Sequence, residues 1–327
     1  MPLPFSGTAY LGIPFLPEFQ ALIWEGIRIY GGHYGGSRRS DLAPRVYEEA
    51  ENHLAAFTGS EAALTLSSGT LAGQLLVKVL RQEAQLELAP GVHPALWVDQ
   101  GPVSRSWEAW AERVAAMSQE PGPPLALLCN SVDPLGVFPY DLSFLAALNP
   151  RRRVVLVVDD SHGFLLLGPD GRGAYPSIAS LPGIESLVVS SLGKAGGIPA
   201  GALFGPAFWI EQIRESPFFG GASPAPPAYL HAFLKAEEIY EAQRQQLKAN
   251  LDFFIQRLPY PGRFRFFPGF PAFLCLDPEI PSLLEGREIR ISSLSYPTPQ
   301  DPLTHRIVIT SLHTKEDLEE VLEGVAK

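Results

Sequence analysis

Lys194 sits in Ser190-Ser191-Leu192-Gly193-Lys194-Ala195-Gly196-Gly197, a lysine bracketed by glycines. Upstream, an unbroken aliphatic run, Val154 to Val158, ends in Asp159 and continues as Asp160-Ser161-His162-Gly163. An amine, a carboxylate at a strand end and an imidazole three residues beyond it form a set with a definite use. The amine can form an imine with an aldehyde, the carboxylate can keep a pyridine nitrogen protonated, and the imidazole can sit beside a phenolic oxygen. Together these are the needs of a site for pyridoxal 5′-phosphate (PLP).

Each residue also has a plainer use. Asp159 could cap the turn that follows its strand. Ligands of open α/β sheets, however, bind outside the carboxyl ends of the strands, which favours a role in a site. Asp160, the neighbouring carboxylate, would point to the opposite face of the strand. His162 could be a loop histidine bonded to backbone, as His33, His53 and His313 could be. A loop lysine is ordinarily solvated, but Gly193, Gly196 and Gly197 predict that the backbone at Lys194 passes close to something bulky.

Further residues extend the set. Ser68-Gly69-Thr70 lies between a strand and a helix, where free N–H groups and the helix dipole attract an anion such as a phosphate. Ser191 could add a hydroxyl to the same anion. His93, before Pro94-Ala95-Leu96-Trp97, could be a loop histidine or a flat surface against the cofactor ring. Arg306 opens the apolar run Ile307-Val308-Ile309 and could bind a carboxylate through two N–H groups.

The elements that must hold these residues alternate. Helices are expected over 43–58, from Ser68-Gly69-Thr70 to about Leu80, and over 142–148. Strands are expected over 62–66, 125–129, 154–158 and 187–190, with an edge strand over 202–204. Continuous aliphatic strands separated by helices predict a mainly parallel α/β sheet. A long helix over 228–258 would lead to a small α+β domain with strands near 263–266, 272–276 and 306–310. A last helix over 314–325 starts with Thr314 and Asp317 spaced as in a capping box. The expected organisation is an N-terminal arm over 1–40, a large PLP-binding domain over 41–225, and the linking helix with the small domain over 226–327.

Composition supports a packed globular chain. Of 327 residues, 46% are hydrophobic and 18% charged, enough to bury a sizeable core. The net charge of −10, without a basic stripe, argues against nucleic acid as a partner. Cys129 and Cys275 lie in apolar runs and read as buried free thiols, with no metal-binding spacing. Neither a signal sequence nor a membrane span is evident, so a cytoplasmic protein is expected.

The order of these segments resembles the fold-type I PLP enzymes, within the class I and II aminotransferase superfamily. Among them it is most similar to the α-oxoamine synthases, such as 8-amino-7-oxononanoate synthase and 2-amino-3-ketobutyrate CoA ligase. Asp159-Asp160-Ser161-His162-Gly163 with Gly168-Pro169-Asp170-Gly171-Arg172-Gly173 resembles Asp-Asp-Ala-His-Gly…Gly-x-x-Gly-Arg-Gly, the most specific match. Ser191-Leu192-Gly193-Lys194-Ala195 resembles Thr-Leu-Gly/Ser-Lys-Ala. Tyr10-Leu11-Gly12, Gly35-Gly36-Ser37-Arg38, Ser68-Gly69, His93-Pro94-Ala95 and Tyr296-Pro297-Thr298-Pro299 with Arg306 also match family segments. There are departures. Thr8-Ala9 replaces Asn-Asp, and Asn130 to Gly136 looks more like the aminotransferase Asn-Pro-x-Asn-Pro-x-Gly.

The resemblance implies a homodimer of the aspartate-aminotransferase-like fold. It implies Lys194, Asp159 and His93 as catalytic residues. Gly69, Thr70, Asp133, His162, Ser191 and Ser223 would complete the cofactor site, with Ser223 reaching the neighbouring subunit's phosphate. Arg306 and Thr298 would bind the carboxylate of an amino-acid substrate, and an acyl-CoA would be the second substrate. An aminotransferase is the alternative, and a PLP-binding protein without turnover is a third reading from another class.

Overall fold

The computed structural model describes residues 3–99, 101–103, 105–148 and 150–326. A six-stranded sheet forms its centre. The strands run in the order Ala62–Leu66, Gly201–Gly205, Ile184–Ser191, Val154–Asp159, Leu125–Asn130 and Gln85–Leu88. Four neighbours, from Ile184–Ser191 to Gln85–Leu88, are parallel.

The aliphatic runs are continuous because both faces are covered. Leu125, Leu127, Val154, Leu156 and Val158 pack into one cluster, whereas Ala126, Leu128, Val155 and Val157 pack into another. Side chains alternate along a strand, so Asp159 follows Val155 and Val157 onto the face that also receives Leu75 and Leu76 of helix Gly69–Glu83. Asp160 leaves on the other face. The parallel strands therefore deliver their carboxyl ends, with Asn130, Asp159 and Ser191, to one edge of the sheet.

A second sheet has the order Leu3–Phe5, Ile289–Ser295, Leu303–Val308, Ala272–Cys275 and Phe264–Arg265. Its first strand comes from the N-terminal segment and pairs in parallel with Ile289–Ser295. That segment is therefore part of the C-terminal sheet. The capping box at Thr314 is present, with Asp317 N–H on the Thr314 hydroxyl and Thr314 N–H on the Asp317 carboxylate.

Several expectations need correction. Gly201–Gly205 is not an edge strand; it lies between Ala62–Leu66 and Ile184–Ser191, antiparallel to both. Its flanking glycines look like strand-breaking punctuation, but they permit close approach. A Cβ on Gly201 would collide with the Ser68 carbonyl, and one on Gly205 would lie 2.7 Å from Ser186 O. The long helix is two, Pro227–Lys235 and Glu237–Arg257, broken at Ala236 (φ −103°, ψ 19°). Glu237 and Glu238 then start the second helix with favourable charge. The 142–148 helix is a single 3-10 stretch, Ser143–Ala147. Helices Pro17–Tyr30 and Trp107–Gln119 and strands Gln85–Leu88 and Ile289–Ser295 were not expected. Both cysteines are free, but Cys275 is only half-buried. Among the described residues no helix is long and apolar enough to cross a membrane.

The Gly201 contact yields a prediction. Gly201→Ala should cost about 1–3 kcal/mol of stability, the usual range for forcing extra atoms into a packed core. Urea denaturation of the two proteins measures it, and an unchanged midpoint would contradict the close approach.

Candidate active site

The carboxyl edge of the central sheet carries the expected constellation. Asp159 is buried, and its Oδ1 accepts the Ser161 N–H at 2.9 Å. That leaves Oδ2 without a hydrogen bond, 3.6 Å from His93 Nδ1. His93 Nδ1 accepts the Ala95 N–H at 3.1 Å, so it carries a lone pair. Burial, and secondarily the Lys194 charge, hold His93 below the ordinary histidine range against the pull of Asp159. The ring is therefore neutral, and its approach to Asp159 is a close contact rather than an ion pair. The His93 backbone is fixed by Asn130, whose Oδ1 accepts the His93 N–H at 3.0 Å and whose Nδ2 donates to Gly91 O at 2.8 Å.

His162 is half-buried, and its Nδ1 lies 2.8 Å from the Tyr10 hydroxyl. Burial pushes the histidine well down, helped by the charges of Lys194 and Arg306, while burial pushes the Tyr10 phenol up. A protonated phenol beside a neutral imidazole donates, so Tyr10 gives its proton to Nδ1. The histidine's own proton is then at Nε2.

Lys194 is half-buried, and its amine has no hydrogen bond or ion pair among the described residues. Burial lowers its pKa and Asp159 opposes that shift. The loop around it is held from behind, where the Tyr240 hydroxyl donates to Gly196 O at 2.6 Å. At Gly197 the expected close approach to something bulky is present. A Cβ on Gly197 (φ 66°) would lie 2.8 Å from Ile13 and 2.9 Å from Pro14, so the bulky neighbour there is the N-terminal segment.

Gly69 opens its helix against Ser191, where a Cβ would come within 2.8 Å of the Ser191 Cα. The Ser68 hydroxyl caps Leu71 N–H, which leaves the N–H groups of Gly69 and Thr70 at the helix start without intrahelical partners. Ser191 is fixed by its N–H to Ser161 Oγ at 2.8 Å. Asp133 lies in the hairpin Val132–Asp133/Phe138–Pro139, where its Oδ1 accepts Leu135 and Gly136 N–H groups at 2.8 Å. Buried Arg306 donates to the next residue's carbonyl, Pro134 O, and its Nε has no partner.

Two expected residues are not brought into this group. Ser223 is exposed in the turn between helices Pro217–Gly221 and Pro227–Lys235. Thr298 is exposed, and its hydroxyl donates to the Asp301 carboxylate at 2.6 Å. A carboxylate thus already occupies the place where a substrate carboxylate was expected. Conversely, Tyr10, Tyr240 and Tyr296 support the site without having been expected as site residues. Tyr10 and Tyr296 lie in segments that carry the resemblance, which is the only signal that could have found them.

Residues 116–325 match the family of class I and II aminotransferases. The chain belongs to that family. Its members and the relatives found here are PLP-dependent enzymes. An 8-amino-7-oxononanoate synthase of Halorhodospira halophila is 28% identical over 98% of this chain and 84% of its own length. One from Burkholderia lata is 32% identical over 76% of this chain and 66% of its own. Among solved structures, a serine palmitoyltransferase of S. paucimobilis with bound PLP and myriocin superposes with a TM-score of 0.83. It is 20% identical and covers 99% of this chain and 86% of its own. An 8-amino-7-oxononanoate synthase of Francisella tularensis gives 0.74 at 21% identity, covering 99% and 97%. The structural likenesses are likenesses of fold.

The residues fit PLP. Among the described residues the half-buried Lys194 amine has no hydrogen bond or ion pair, Asp159 has one unbonded carboxylate oxygen, and the Gly69 and Thr70 N–H groups at the helix start suit a phosphate.

Asp160 yields a second prediction. Its carboxyl is fully buried and pushed up to about 7, chiefly by burial, although it accepts the Ala174 N–H at 2.8 Å. An acid with a raised native pKa contributes stability that is full below its ordinary pKa of 3.8 and is lost as pH rises through about 7. Asp160→Asn should therefore gain stability relative to the natural protein as pH rises across that window, then run parallel above it. Denaturation curves at a series of pH values show this, and parallel curves throughout would refute the shift.

Proposed function

We propose that this chain is a PLP-dependent α-oxoamine synthase, joining an amino acid to an acyl thioester with release of thiol and CO2. The observation that carries the reading is the partnerless Lys194 amine beside Asp159, in a family of PLP enzymes whose sequence relatives here are 8-amino-7-oxononanoate synthases.

PLP, when bound, supplies an electron sink for the pair left at an amino acid's α-carbon. Lys194 would hold the cofactor covalently and, once displaced, remove the α-carbon proton as general base; its depressed pKa suits that task. Asp159 Oδ2 would hold a proton on the ring nitrogen. The Nε2–H of His162, fixed there by Tyr10, would donate to the phenolic oxygen, with Asp133 nearby in the hairpin. Gly69 and Thr70 N–H groups and the Ser191 hydroxyl would bind the phosphate. Neutral His93 would lie against the ring, since a cation there would disfavour the protonated pyridine nitrogen. Arg306 would bind the amino acid's carboxylate with the N–H groups it does not spend on Pro134 O. Thr298 is left out, for the Asp301 carboxylate holds it.

The same reading makes the protein a cytoplasmic homodimer, with exposed Ser223 directed to the neighbouring subunit's phosphate. Sedimentation of the holoenzyme at twice the chain mass is the expected result.

The test of the reaction is what balances. With an amino acid and an acyl-CoA, free thiol should appear and no keto acid should form from the amino acid. Stoichiometric conversion of the cofactor to pyridoxamine phosphate by the amino acid alone, reversed by a keto acid, would make the chain an aminotransferase instead.

Two substitutions test the roles. Lys194→Ala should end turnover and leave no PLP attached after borohydride reduction; attachment to another lysine would overturn the assignment. Asp159→Asn should retain PLP but lose about 2.7–4 kcal/mol of transition-state stabilisation, the size seen when one preorganised electrostatic group is removed. A normal kcat/KM in that variant would show that Asp159 does not face the ring nitrogen.

A further inference from the structure

Tyr296 follows strand Ile289–Ser295 of the second sheet, and His93 follows the end of strand Gln85–Leu88 of the first. The two rings meet. Their centroids are 5.9 Å apart with an interplanar angle of 19°, and the Tyr296 hydroxyl lies 2.6 Å from His93 Nε2.

The direction of that hydrogen bond follows from the other side of the ring. The Ala95 N–H can only donate, and it points to His93 Nδ1. Nδ1 is therefore the lone pair of a neutral imidazole, and the proton is at Nε2. That N–H donates to the Tyr296 oxygen. The phenol accepts, so its own O–H is left to spend elsewhere. Among the described residues it has no acceptor. Burial, and secondarily the Asp159 charge, raise the Tyr296 pKa, so the O–H stays protonated near neutrality.

The mechanism above leaves one oxygen without a donor. When the α-carbon attacks the thioester carbonyl, a C–C bond forms and the C=O pair moves onto oxygen. When the C=O re-forms, the C–S bond breaks and the thiolate leaves, to be protonated to free thiol. Between the two events the oxygen carries a full charge. The amino acid's carboxylate has Arg306, and the phosphate has the helix start. A free phenolic O–H in the same half-buried cleft suits the remaining oxygen.

We propose that Tyr296, held by His93 Nε2–H, donates its hydroxyl proton in a hydrogen bond to the carbonyl oxygen of the acyl thioester. The inference rests on the synthase reading, and the experiment separates the two.

Tyr296→Phe keeps the ring and its stack on His93 but removes the hydroxyl. The kcat/KM for the acyl thioester should fall about 10²–10³-fold, as for loss of one oxyanion donor. Amino-acid affinity, measured by calorimetry on the PLP-loaded protein, should stay within about twofold, because Arg306 supplies that site. In the protein without PLP, ¹⁵N NMR of His93 should show an unprotonated Nδ1 and a protonated Nε2, and only the Nε2 environment should change in Tyr296→Phe. An unreduced thioester kcat/KM, or an equal loss for both substrates, would overturn the proposal. So would a protonated Nδ1 in the unsubstituted protein. If the unsubstituted protein releases no thiol from any acyl-CoA, the synthase reading itself fails, and this inference with it.

Discussion

A half-buried lysine amine with no hydrogen bond or ion pair among the described residues is the constraint on which the rest of the site depends. An ammonium in that position is costly to desolvate, and only Asp159 offsets the effect. The two imidazoles around it are kept from adding positive charge to that of Lys194 and Arg306. His93 and His162 are both held neutral by burial, and each has its tautomer set by a donor to Nδ1, Ala95 N–H in one case and the Tyr10 hydroxyl in the other. The site is thus a depressed amine, one open carboxylate oxygen and two neutral imidazoles. Such a set is built to be completed by an electrophile bearing a phosphate.

Two adjacent carboxylates illustrate how position on a strand divides chemistry from architecture. Asp159 opens to the cleft. Asp160 turns to the opposite face, where it accepts the Ala174 N–H and lies so near Gly163 and Gly173 that neither glycine could carry a side chain. The first offers charge to a ligand, whereas the second fastens the loop 163–173 against the sheet. That loop is the segment with the most specific family resemblance, so its glycines reflect the packing of Asp160 as much as any ligand.

The strand ends and the order of the central elements were legible because aliphatic runs buried on both faces leave a strong mark in the sequence. Asp159, His162 and Lys194 could be read for the same reason, since each follows such a run. The glycines were legible as close approaches but not as to what approaches, because Ile13 and Pro14 are far away in the sequence. Contacts such as Tyr10 with His162 and Tyr296 with His93 join residues 152 and 203 positions apart, and local pattern carries no trace of them. The interior position of Gly201–Gly205 was hidden likewise, for its neighbour Ala62–Leu66 comes from far upstream.

The N-terminal segment has a bearing on how the chain is made. Leu3–Phe5 pairs with Ile289–Ser295, and the Tyr10 carbonyl accepts the Ser311 N–H at 3.0 Å while its hydroxyl sets His162. On a ribosome the first residues emerge long before their partners, so the early strand waits with an unpaired edge while the central sheet can already assemble. Asp159 and Lys194 can be in place at that stage, but Tyr10 has no seat until Ser311 has been synthesised. Competence therefore waits on the meeting of two segments far apart in the sequence, and a nascent chain held short of Ser311 would carry the reactive lysine without the finished tautomer beside it.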